Sequence, residues 1–98
     1  MNTLDDIRNY CSEPGWDGYT GIPISESIID RARAILSLLP NYYEVFPCPD
    51  GDIQIESPDA SIVIIVSQST YTFCNTDTGN EIGFNNPIDI NQLLQDYK

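Results

Sequence analysis

The chain has no histidine, only four basic residues and no long apolar run. Without histidine it lacks the commonest general base and the commonest metal ligand. Four Lys+Arg against fifteen Asp+Glu give a formal net charge of -11. Phosphate binding depends on neutralisation by Lys and Arg, so this balance excludes direct binding to nucleic acid or to an anionic membrane surface. The longest apolar stretch, Ile62–Val66, is far short of the roughly 20 residues that span a bilayer as a helix. Met1-Asn2-Thr3-Leu4-Asp5-Asp6 is acidic and carries no apolar core of a signal peptide. A place in the cytoplasm is therefore expected. The cysteines are few as well: Cys11, Cys48 and Cys74 are widely spaced, without a C-x-x-C pair. An odd count argues against a disulfide-stapled secreted domain. A zinc site needs about four close N or S ligands, which three cysteines and no histidine do not complete. The three are expected to be free thiols, with no metal and no cofactor.

What is present is enough for one small core. Of 98 residues, 41% are hydrophobic, too many for a disordered acidic tail. The length suits one domain over residues 1–98. Thr3 followed by Asp5 and Asp6 is an N-cap with carboxylates in the first turn. Leu4, Ile7 and Cys11 keep helical spacing until Glu13-Pro14-Gly15 ends the element. A second helix starts at Ser25, with Ile24 and Ile29 as a hydrophobic staple. Ile28, Ala32, Ile35, Leu36 and Leu39 form its apolar stripe, and Pro40-Asn41 stops it.

After Asn41 the period changes from helical to two. Tyr43, Val45 and Pro47 alternate, Pro49–Asp52 turns, and Asp52–Glu56 alternates strictly. Ile62–Val66 is a β-branched run, expected as a central strand covered on both faces or nearly so. Thr70–Cys74 is a further strand, 75–80 a turn cluster, and Glu81–Phe84 a short last strand. Asp89-Ile90-Asn91-Gln92 reads as a capping box with an Ile88–Leu93 staple, and Leu93, Leu94 and Tyr97 dock the closing helix. The order predicts an α+β fold: two N-terminal helices, a four- to five-stranded antiparallel sheet and a short C-terminal helix.

The charge is unevenly placed. Arg8, Arg31 and Arg33 precede position 34, and only Lys98 follows. Between them, residues 34–97 hold nine acids and no base. Asp50, Asp52 and Glu56 share strand parity and can lie on one face, with alternate residues about 6.6 Å apart. Asp59, Asp77 and Glu81 extend the same acidic half. Such a distribution suits a solvated face that keeps a small protein soluble. It also suits a surface that steers basic proteins, including their nucleic-acid grooves.

Trp16-Asp17-Gly18-Tyr19 sets two large aromatics among glycines. Trp16 and Tyr19 can cover one end of the core while Asp17 caps backbone donors, or they can anchor an interface. These residues, with Pro23-Ile24-Ser25, Leu38-Leu39-Pro40 and Pro47-Cys48-Pro49-Asp50-Gly51-Asp52-Ile53, resemble a group of small bacterial and prophage proteins. Their pattern is a W-D-G-Y loop, a P-I helix start and a P-x-P-D-G hairpin, matched over roughly residues 12–56. The chain departs from it at Thr20-Gly21, where Gly-Ala is usual, and at Ser57, where an aromatic is usual. The resemblance assigns no catalytic residues. It implies a mobile-element setting, in which small acidic proteins are similar in composition to phage inhibitors of host defence, anti-CRISPR proteins included.

Enzymatic chemistry finds little support. No spacing singles out a carboxylate pair for hydrolysis, and a cysteine nucleophile lacks its histidine. Asn75-x-Asp77-x-Gly79 only partly matches a calcium loop, because the glycine comes early and Asn86 stands where a glutamate is needed. No glycine-rich loop opens a helix. The sequence thus predicts no enzyme and no catalytic residue. It predicts an acidic inhibitor that meets a basic, nucleic-acid-binding surface through Asp50, Asp52, Glu56, Asp59, Asp77 and Glu81. The alternatives are an antitoxin or immunity partner of a basic toxin, and an adaptor that binds through Trp16, Asp17 and Tyr19.

Overall fold

Ser25 starts the longest helix as its chemistry requires. Its extended backbone leaves the helix path, and its hydroxyl accepts the Ile28 N–H. The computed structural model describes residues 4–16, 18, 21–40 and 42–97, except for the side chains of Asp96 and Tyr97. Thr3, Asp17, Tyr19 and Asn41, to which the sequence assigns a cap, a loop and a stop, lie outside the described residues. Helix α1 spans Leu4–Tyr10 and α2 spans Glu26–Leu36. Ile28, Ala32 and Ile35 of the predicted stripe are buried, as are both halves of the Ile24–Ile29 staple.

Five strands follow: β1 (Glu44–Pro47), β2 (Ile53–Glu56), β3 (Ile62–Val66), β4 (Tyr71–Asn75) and β5 (Asn80–Phe84). They pair in chain order as an antiparallel meander, β1-β2-β3-β4-β5. Short polar turns make each reversal local. Helix α3 (Asp89–Tyr97) closes the chain. Over the described residues the fold is α+β, with a five-stranded antiparallel sheet and three helices. Together α1, α2 and α3 cover one face of the sheet. Val45, Ile53, Ile55, Ile62, Ile64, Val66, Tyr71, Phe73 and Phe84 point to that side and merge with the helix stripes in one core.

Arg31 fastens α2 to the sheet. Its Nε donates to the Ser67 carbonyl at 2.9 Å, and its guanidinium lies 4.5 Å from the Tyr71 ring centre. Tyr71 is stacked on Phe84 and returns its hydroxyl proton to the Arg31 carbonyl at 2.9 Å. Gly51 lets the β1–β2 turn pack closely against Ile22. Its φ is +94°, and an added Cβ would lie 3.2 Å from Ile22 Cγ2. Only glycine meets both demands.

Two expectations need correction. Ile62–Val66 is central but covered on one face, since Val63 and Ile65 remain half-buried on the other. A continuous apolar run marks both-sided burial only when elements exist to cover both faces, and all three helices pack on one. The start of α3 is also out of phase with the expected box. Asn86 accepts the Ile88 N–H through its side chain, and the Asn86 and Pro87 carbonyls begin the turn. Asparagine at a cap and proline in the first turn are favoured there. Ile90 is therefore fully buried, while Ile88, predicted to staple, is 63% exposed.

Candidate functional site

The meander's register fixes which residues share the uncovered face. One row across all five strands reads Glu44, Glu56, Val63, Cys74, Glu81. The next reads Phe46, Gln54, Ile65, Thr72, Gly83. Each of these residues is half-buried or exposed, and none is fully buried. Phe46, Val63, Ile65 and Cys74 form an apolar centre with carboxylates at its margin. Glu44 stands directly opposite Glu56, at about 5 Å between Cβ atoms for such pairs. Like charges in that position destabilise a sheet. Among the described residues only Gln54 answers them, donating to Glu56 Oε1 at 2.8 Å.

The predicted acids divide between two ends of this face. Asp50 lies in the β1–β2 turn, where its carboxylate accepts the Asp52 N–H. It therefore leaves the strand parity expected of it. Asp52 sits at the mouth of β2 and accepts the Ser67 hydroxyl at 3.1 Å. Desolvation pushes its carboxyl up, against the lowering effect of Ser67, and nearby Asp50 adds to the rise. Both acids raise the half-buried Cys48 thiol further, to about 11, after desolvation as the main cause. Glu56 and Glu81 share one row, about 14 Å apart at standard strand spacing.

Asp59 and Asp77 lie in the β2–β3 and β4–β5 turns at the same end as Glu44, Glu56 and Glu81. The two turns touch, because Thr76 Oγ1 donates to the Ala60 carbonyl at 2.8 Å. The Asp59 Oδ1 accepts the Ser61 N–H and the hydroxyls of Ser61 and Ser57. These donors, the Ser61 N–H first, hold its carboxyl below the usual range. Beside that turn lies an open groove of about 360 Å³ between Asp59, Ser61, Ile62 and the tyrosines Tyr42 and Tyr43. The two rings are stacked, with centres 5.4 Å apart.

The arginines lie elsewhere. Arg8 pairs with Glu26 at 2.7 Å and Arg33 with Asp5 at 3.6 Å, both on the helical side. Arg31 is engaged under α2. Trp16, the described member of the predicted aromatic pair, is half-buried against the core. Its Nε1 donates to the Ile22 carbonyl at 2.7 Å, so its polar edge is already used within the chain.

Sequence reasoning did not single out Glu44, Phe46, Val63, Ile65, Cys74 or the Tyr42–Tyr43 pair as site residues. Their signal was hairpin register. A turn centred on Asp50 sets Pro47 against Ile53, which places Glu44 opposite Glu56. Among the described residues no group of acidic or cysteine side chains could hold a metal ion. No helix among them is long and apolar enough to cross a membrane. No protein-family model, curated protein or solved structure matches the chain.

Proposed function

We propose that the chain is an acidic inhibitor that lays the open face of its sheet on a basic, nucleic-acid-binding surface of a partner protein. The observation that carries this reading is the Glu44–Glu56–Glu81 row beside an apolar centre, with the described arginines committed to the helical side. Carboxylates on β1, β2 and β5 offer a negative row to Lys and Arg side chains that otherwise hold phosphates. Half-buried Phe46, Val63 and Ile65 add apolar contact, which a purely electrostatic surface lacks. The Trp16 loop is the weaker contact, because its indole N–H is spent on Ile22. The resemblance to small prophage proteins directs the search to defence proteins of the bacterial cytoplasm, CRISPR–Cas components among them.

Immobilised protein, with a Glu44→Lys/Glu56→Lys/Glu81→Lys variant as control, is used to capture partners from a bacterial extract. Each purified partner is then tested for nucleic-acid binding over a salt series. Release of nucleic acid by the wild-type chain, lost in the variant and at high salt, is the expected result. Nucleic-acid binding unchanged by the wild-type chain at low salt sinks the proposal. Loss of capture in Trp16→Ala, with the charge-reversed variant still binding, transfers the contact to the aromatic loop.

A further inference from the structure

We infer that the groove beside the β2–β3 turn seats the guanidinium of an arginine side chain presented by that basic partner. The inference rests on the proposed function for its partner and names where one of the partner's cations is held. Three features of the groove select this chemistry. Its walls are aromatic: Tyr42, 58% exposed, is stacked at 26° on Tyr43, so the pair offers a flat π surface. Its polar side is the Asp59 carboxylate, fixed in one orientation by Ser57 and Ser61. Among the described residues no basic side chain lines the groove.

An anion would be repelled by the Asp59 carboxylate there. A neutral apolar group would bury Asp59 without a counter-charge, which is costly. A planar cation answers both demands: a guanidinium stacks on tyrosine and accommodates a carboxylate through its fork of N–H donors. Lysine supplies the charge but not the plane, so it fits less well. At about 360 Å³ the cavity is near the small end of ligand pockets, which run from about 300 to 1,000 Å³. Being open on one side, it suits the tip of a side chain carried by a larger surface. Asp59 is held in place before binding, so its orientation adds little cost on association.

The test uses the whole chain and three probes: N-acetyl-arginine amide, N-acetyl-lysine amide and N-acetyl-citrulline amide, the last an uncharged near-isostere of arginine. Amide chemical shifts are followed by NMR during each titration. Saturable shifts confined to Tyr42, Tyr43 and residues 57–62, strongest for arginine and lost with citrulline, are expected. Tyr42→Ala should weaken arginine two- to fivefold, the size of an exposed cation–π contact, with an unchanged melting temperature showing the fold intact. Asp59→Asn, which keeps an Oδ1 acceptor for the turn, should weaken it to the level of citrulline. Arginine-induced shifts spread equally over Asp50, Asp77 and Glu81 overturn the inference, as does equal binding of citrulline. The proposed function is judged apart, by nucleic-acid release: a groove that binds no arginine leaves the open face in play. A groove that does bind arginine survives failure of that release.

Discussion

Replacing Glu44 by lysine should make the protein more stable while weakening its proposed contact. Glu44 and Glu56 are direct cross-strand partners on the open face, which places their carboxylates at about 6 Å given Cβ atoms about 5 Å apart. Coulomb's law in water gives about 0.7 kcal/mol for that repulsion. A Debye length of about 8 Å at physiological salt reduces it to about 0.3 kcal/mol. Reversing one sign replaces repulsion by attraction of like size, a gain of about 0.6 kcal/mol at 0.15 M salt and about 1.1 at 0.01 M. At about 4–8 °C per kcal/mol for a domain this small, the melting temperature rises about 2–5 °C and 4–9 °C respectively. In 1 M salt, with a Debye length of about 3 Å, the gain falls to about 0.2 kcal/mol. Glu13→Lys is the control: it changes the net charge equally from an exposed loop outside the sheet. Thermal unfolding of both variants at the three salt concentrations isolates the local pair. A Glu44→Lys gain no larger than that of Glu13→Lys, or one insensitive to salt, refutes the assignment of Glu44 and Glu56 as a close like-charge pair.

Three other outcomes follow from local chemistry. Ser25→Ala removes the side-chain acceptor of the Ile28 N–H and should cost about 1 kcal/mol, read as a lower urea midpoint with an unchanged m-value. Cys48, pushed up to about 11, should be alkylated by iodoacetamide at pH 8 on the order of 100-fold more slowly than a free thiol of pKa about 8.5. Asp50→Asn should speed that reaction, and alkylation of Cys48 at the free-thiol rate contradicts its burial. Asp52 is raised in the folded state, so its charged form penalises folding above that pKa, and acidification relieves the penalty. Asp52→Asn should therefore raise the melting temperature at pH 7. Its advantage should shrink as pH falls through the carboxylate range; an advantage that grows on acidification reverses the sign.

The elements with local signals were legible in the sequence, and those set by packing were not. Ser25, the Ile28–Ile35 stripe and the alternation in Ile53–Glu56 each state a period or a cap within a few residues. The α3 start was misphased because two cap signals overlap, Asn86-Pro87 and Asp89-x-x-Gln92. Burial of Ile90 in place of Ile88 decides between them, and that is a tertiary fact. The one-sided cover of β3 was hidden for a similar reason, since Ile62–Val66 reads apolar at every position. Which face is covered depends on where three helices dock. The acids show the same division. Parity placed Asp52 and Glu56 along one strand, but the partnership of Glu56 with Glu44 needs the register of a hairpin whose turn captures Asp50.

That register also bears on how large a contact the face can make. Five strands at about 4.8 Å spacing and five residues at about 3.3 Å rise give a patch of about 24 by 16 Å, on the order of 400 Å² in projection. A standard interface covers about 800 Å² on each partner, and the molecule measures 38 × 24 × 23 Å. The sheet face alone therefore supports a weak, salt-sensitive encounter. A longer-lived complex must continue past the strand ends. Charge continues past both ends, but only the end toward Asp59 and Asp77 pairs it with the exposed ring of Tyr42 among the described residues. Energetic contacts concentrate in a few desolvated anchors of aromatic and arginine character, so the two regions divide the work. In the proposed complex the open face then sets the rate and salt dependence of association, and the tyrosine groove sets dissociation. In a kinetic measurement, Glu81→Lys should then act mainly on the on-rate and Tyr42→Ala mainly on the off-rate. The reverse pattern would place the anchor on the sheet itself.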